Sequence, residues 1–191
     1  ATLGQYGGWS EITDVIQDTH EDPILQGMMQ VHGQQASESF ETLTYLTLRA
    51  GTNVVYANGS ARNAVNTKIS LGKVRSAVRT LNKNKCRKKT TILAPSVNYK
   101  TQAIEAAYVA VCHTDLEPDI RDLSGFVPVS QYGSRQTICP QEFGSVENVR
   151  FITTTIATPF ADAGGLDGDA VLSTTGTNAD VYPVLIFGED A

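Results

Sequence analysis

From Asp22 to Gly51 the chain carries one continuous helical signal, and that signal constrains the fold more than any other feature. Asp22 can cap a helix, Pro23 suits a first helical position, and Glu21 with Asp22 favours the positive helix end. Apolar side chains follow at Leu25, Met28, Met29, His32, Ala36, Phe40, Leu43 and Leu46, the three-to-four spacing of one helical face. Arg49 falls in the last turn and Gly51 supplies a stop. Such a helix runs roughly 40 Å at 1.5 Å per residue, longer than most globular helices. Gly27 and Gly33 weaken it by about 1 kcal/mol each relative to alanine, so close packing or a bend is expected there.

The rest mixes helices and strands without regular alternation, which predicts an α+β fold and not a doubly wound sheet. Thr52–Tyr56 (TNVVY) reads as a short strand, and Asn58–Asn66 as polar loop. Ser70 is placed to cap a second amphipathic helix with Leu71, Val74, Ala77, Val78 and Leu81 on one face. Tyr108–Cys112 (YVAVC) has the composition of a buried strand. Thr114 is a candidate cap for the next helix, which points Leu116, Ile120 and Leu123 inward. Strands are expected at Val149–Ile156 and Val181–Phe187, with a long Gly/Asp/Thr-rich loop between them. No internal repeat is visible.

Composition narrows the function classes. Charged residues are 18% of 191, too few apolar residues run together for a membrane span, and net charge is −5. The first residues, ATLGQYGGWS, lack the basic start and apolar run of a signal peptide. Cys86, Cys112 and Cys139 form no C-x-x-C pair and suit a reducing compartment. The chain starts at Ala1 without Met and stops just after the strand-like VYPVLIFGEDA, so it is expected to be a piece of a longer one.

Catalytic and metal signatures are sparse. There is no G-x-S-x-G elbow, P-loop or dinucleotide fingerprint. Cys112-His113 is the one pair at a strand end, but neighbours on a strand face opposite ways, so a core cysteine beside a histidine at a helix start is the better reading. His20, His32 and His113 are far apart and none has a metal-ligating partner at i+3 or i+4. Asp162–Asp169 (DAGGLDGD) lacks the calcium-loop pattern. No cofactor is expected. Asn58-Gly59-Ser60 fits the glycosylation pattern but reads as a turn.

The strong feature is charge polarity. Lys68, Lys73, Arg75, Arg79, Lys83, Lys85, Arg87, Lys88, Lys89 and Lys100 are ten of the fifteen Lys and Arg residues, and no Asp or Glu lies among them. The candidate contact charges are Arg79, Lys83, Lys85, Arg87, Lys88 and Lys89, facing the acidic stretch Glu11, Asp14, Asp18, Glu21 and Asp22 of a neighbouring copy. The alternative is a nucleic-acid-binding module or accessory protein that uses segment 68–100 on phosphate. Without interleaved aromatics before Tyr99, stacking on single strands is disfavoured.

Taken in order, QYGGWSEITD, THEDP, TLRAGTNVVYANG with ARNAVN, AVRTLNKNK, YVAVCHTDLEPDIRDL, GSVENVRFITTT and DVYPVLIFGEDA resemble the major capsid proteins of tailed double-stranded DNA bacteriophages. The resemblance covers nearly the whole chain. It implies the capsid fold of tailed phages and herpesviruses: a long spine helix in a peripheral domain, and an axial domain with a central sheet. Residues 1–19 would then be the end of an extended loop and the lead-in to the helix, and 20–51 the spine helix. Residues 52–156 would be mainly axial domain, and 157–191 a long loop and return strand. It further implies a non-enzymatic structural protein of the virion, assembled in the host bacterial cytoplasm. Hexamers and pentamers would form an icosahedral shell around double-stranded DNA on the inner face. Decoration, scaffolding and portal proteins would be partners, and a membrane would not.

Overall fold

The computed structural model describes residues 4–12, 24–93, 101–133, 135–166 and 172–189. The chain divides into two compact units, Ala1–Leu48 and Arg49–Ala191.

The first unit is dominated by helix α1, Ile24–Arg49. The expected cap at Asp22 and start at Pro23 lie outside the described residues. Before the helix, Ser10 Oγ sits 2.6 Å from His32 Nε2, so His32 meets a hydroxyl. Ser39, Thr42, Thr44 and Thr47 each donate a hydroxyl hydrogen bond to the carbonyl four residues back, which satisfies these hydroxyls locally on an acceptor they share with the helix ladder. The periodic apolar face does not become a core: Tyr45 is the buried residue of α1, while Met28, His32 and Leu43 are half-buried and Leu25, Met29, Phe40 and Leu46 are exposed.

The second unit is an α+β domain on a mixed sheet. Strands β1 (Lys89–Leu93), β2 (Thr101–His113), β3 (Val127–Pro128), β4 (Glu142–Val146), β5 (Val149–Thr154) and β6 (Leu185–Phe187) are arranged β1-β2-β5-β4-β3, with β6 also on β2. Among the described strands only β2 and β5 run parallel, from Tyr108 opposite Val149 to His113 opposite Thr154. Strand β2 is much longer than the apolar YVAVC run. Its first half pairs with β1 and its second half with β5 and β6.

Helix α2, Leu71–Lys83, covers this sheet. Val74 and Val78, four residues apart, are buried against Tyr108, Ala110, Cys112, Phe143, Val146, Val149 and Phe151, together with Ile120 and Leu123 from the short helix α3 (Glu117–Arg121) and the turn after it. Burying each such aliphatic side chain contributes roughly 1.5–3 kcal/mol.

Several local expectations need correction. Thr52–Tyr56 is not a strand. Val54 and Val55 are exposed and Val54 N bonds to Thr52 O, a turn-like contact, because no partner strand among the described residues reaches this β-branched run. Ser70 occupies the cap position of α2 but its side chain makes no capping bond. Thr114 does not cap α3. It opens a 3-10 turn, Thr114–Leu116, where the His113 ring accepts from Asp115 N instead. The strand expected from Val181 begins at Leu185, with a lone bridge from Val181 to Phe160 before it.

The Gly/Asp/Thr-rich excursion is bridged back on itself. Leu166 pairs with Asn178, and Asp180 accepts from Asp162 N at 2.8 Å, Thr174 N at 2.8 Å and Thr174 Oγ1 at 2.5 Å. Burial pushes the Asp180 carboxyl up, but these donors outweigh it and hold the group below its ordinary value. Gly164 is fully packed: an added Cβ would lie 2.3 Å from Val65 O and 2.7 Å from Ala179 O. Asn58 is bonded at both ends of its amide to Asn66, so the Asn-Gly-Ser triplet is an ordered turn with Gly59 at φ 65°.

Candidate functional site

The basic segment is built on the end of α2. Cys86 N bonds to Leu81 O and Lys85 N to Asn82 O, both at 3.0 Å, the paired bonds of a Schellman stop. This motif needs a left-handed residue just after the cap, a place glycine usually fills. Here it is Lys85, at φ 58°. Buried Tyr108 anchors the turn from the sheet: its hydroxyl donates to Asn82 Oδ1 at 2.7 Å and lies 3.1 Å from Cys86 O. Burial raises the Tyr108 phenol above its usual range. Glu189 N bonds to Arg87 O at 2.9 Å, which ties the last described residue to the same turn.

The candidate charges divide by geometry. Arg79, Lys83, Lys85 and Arg87 are exposed and have no acidic partner among the described residues. Lys88 and Lys89 are half-buried, Lys88 with its ammonium 5.8 Å from the Tyr108 ring centroid. Two members of the wider basic run are already neutralised: Arg75 by two bonds to Glu147 Oε1 at 2.8 and 2.6 Å, and Lys68 by Asp119 at 2.8 Å. The hydrogen bond to Asp119 raises the Lys68 ammonium. On the acidic side Glu11 is exposed, while Asp14, Asp18, Glu21 and Asp22 lie outside the described residues, as does Lys100.

Cys112 and His113 do not form a catalytic pair. Cys112 is wholly buried and burial pushes its thiol up to about 12, so it stays protonated at neutral pH. The His113 ring lies 3.1 Å from Asp115 Oδ2, which also accepts from the Tyr182 hydroxyl at 2.9 Å. Among the described residues no three His, Cys, Asp or Glu side chains are grouped to hold a metal. Asp162 accepts from Asn178 N, and Asp167 and Asp169 lie outside the described residues. No helix among the described residues is long and apolar enough to cross a membrane.

Two features escaped sequence reasoning. The first is a buried ionic cluster: Glu142 and Arg150 have side chains 0% and 2% exposed, with Arg150 Nη1 donating to Gln136 O at 2.6 Å and standing 3.7 Å from Glu142 Oε1. Glu142 accepts from Tyr132 Oη at 2.7 Å and Ile138 N at 2.6 Å, which moors Tyr132 and Ile138 onto β4. An arginine within an apolar strand signature (VRFI) and a glutamate before FGSV were the available hints. The second is the exposed apolar set of the first unit: Tyr6, Trp9, Leu25, Met29, Val31, Phe40, Leu46 and Leu48. Trp9 is 85% and Phe40 73% exposed. The helical periodicity of Leu25, Met29, Phe40 and Leu46 was legible, but whether a core received them was not.

No curated protein matches the chain. A family model described as phage capsid protein matches residues 1–190. A match over that length shows that the chain belongs to the phage capsid protein family, a structural family of the bacteriophage virion.

Proposed function

We propose that this chain is the major head protein whose copies form hexamers and pentamers and tile an icosahedral shell around double-stranded phage DNA. The observation that carries the reading is the first unit. Its described residues expose eight of the twelve large apolar side chains that stand out to solvent, and they bury Tyr45 alone among apolar residues. On α1 the exposed Leu25, Met29, Phe40 and Leu46 share one helical face. An exposed apolar face of that kind favours an interaction surface, and rigid aromatics such as Trp9 and Phe40 are the residue types that anchor interfaces. A single long helix is marginal in water without a partner for its apolar face. Neighbouring copies supply that partner in a shell, through repeated heterologous contacts.

In this reading 20–51 is the spine helix, 52–156 the main body of the axial domain, and 1–19 and 157–191 the segments that reach past it. The exposed charges Arg79, Lys83, Lys85 and Arg87 fix register against Glu11, Asp14, Asp18, Glu21 and Asp22 of a neighbour, with Lys88 and Lys89 contributing less because they are turned partly inward. Assembly takes place in the host cytoplasm, where scaffolding, portal and decoration proteins join the shell.

The test is negative-stain electron microscopy of the chain expressed alone and concentrated, beside a Trp9→Ser/Phe40→Ser variant. Shells or five- and six-membered rings from the wild type, and folded single subunits from the variant, are expected. A wild type that stays a monodisperse monomer, or a variant that assembles as well as the wild type, would overturn the proposal.

A further inference from the structure

Among the described residues three that are not glycine adopt a left-handed backbone: Lys85 at φ 58°, Glu147 at 55° and Asp162 at 50°. This conformation is unfavourable for side chains with a Cβ, and it persists where the side chain has work to do. For Glu147 that work lies within the chain: at the two-residue turn between β4 and β5 its carboxylate holds the Arg75 guanidinium. For Asp162 it is also internal, since its carboxylate accepts from Asn178 N. Lys85 differs. Its backbone bonds would be made as well by glycine, yet its ammonium meets no carboxylate, carbonyl or ring among the described residues.

Two further observations say what the ammonium is for. The turn that carries it is braced from beneath by the Tyr108 hydroxyl and from the side by the bond from Glu189 N to Arg87 O, so the charge sits on a pre-organised mount. Outside residues 68–100 the chain holds all 20 of its acidic residues and only five of its fifteen basic ones, so the surface of a second copy is the complementary partner close at hand. Resting on the assembly role argued above, we infer that Lys85 is a specificity-determining contact residue, retained in place of glycine so that its ammonium pairs with a carboxylate of a neighbouring copy.

The experiment compares wild type, Lys85→Gly, Lys85→Asn and Lys85→Arg in particle assembly and in urea denaturation of the dissociated chain. Lys85→Gly should raise the denaturation midpoint, because glycine accepts the left-handed backbone, while the concentration needed for particles rises about two- to five-fold. Lys85→Asn, which tolerates the same backbone without the charge, should show the same assembly defect, and Lys85→Arg should assemble normally. Added salt should bring wild type toward the glycine variant. Lys85→Gly assembling at the wild-type concentration overturns the inference and leaves the capsid reading standing. Normal assembly with weakened retention of duplex DNA assigns the lysine to phosphate and overturns it likewise. A wild type that forms no particles removes both.

Discussion

The buried pair Arg150–Glu142 gives the sharpest test of the physical account of the second unit. Arg150 Nη1 stands 3.7 Å from Glu142 Oε1, both side chains are almost fully enclosed, and Arg150 Nη2 has no hydrogen-bond partner among the described residues. At an effective dielectric of roughly 20, two unit charges at that separation attract by about 4.5 kcal/mol. Arg150→Met removes this attraction and the bond to Gln136 O, but it also removes a buried donor that is unsatisfied, which returns about 1–3 kcal/mol. The expected net loss is about 3 kcal/mol. Glu142→Gln should cost about 3–5 kcal/mol, because the guanidinium then stays buried without a countercharge. The double variant should cost clearly less than the sum, with a coupling of about 3 kcal/mol, since the second substitution removes a charge already uncompensated. Urea denaturation of the dissociated chain at pH 7, followed by circular dichroism, measures all four corners of the cycle. A single variant costing under about 1 kcal/mol, or a coupling near zero, would refute the claim that these charges face one another away from water.

Gly164→Ala places a methyl against Val65 O and Ala179 O and should destabilise by about 2 kcal/mol, read as a lower denaturation midpoint; a neutral result would mean the return loop is loosely held. Burial raises the Tyr132 and Tyr182 phenols to about 12, the latter helped by Asp115, against about 10 in the unfolded chain. Their contribution to stability is therefore full below pH 10 and lost as pH climbs through 12. Absorbance at 295 nm should show these two of the seven tyrosines, along with buried Tyr108, ionising late, and complete ionisation near pH 10 in a still-folded protein would contradict it. Alkylation at pH 8 should modify half-buried Cys86 and Cys139 well before Cys112, whose thiol is held protonated to about 12; equal rates would place Cys112 outside the core.

What could be read in advance depended on how local each signal was. The 3.6-residue apolar period predicted α1 and α2, and the YVAVC run marked the second half of β2, because helix faces and buried strands write their period into neighbouring residues. Strand β4 was missed: EFGSV is short, holds a glycine and a charge, and exists because β5 returns to it through a two-residue turn. TNVVY has strand composition and is no strand, for want of a partner among the described residues. Of the basic run, the sequence showed its polarity but not that Arg75 and Lys68 are spent on Glu147 and Asp119, residues 72 and 51 positions away.

The amino-acid sequence by itself determined the α+β character, the long helix, the concentration of positive charge and the family, since each rests on composition, period or ordered motifs along the chain. Only the tertiary structure decided which carboxylates answer which cations, that Lys85 lies in a left-handed turn with its charge unspent among the described residues, and that Tyr45 is the buried residue of α1 while Leu25, Met29, Phe40 and Leu46 are exposed. The reason is physical. Burial, pairing and strain are properties of what stands opposite a residue, and residues far apart in sequence supply that opposite side.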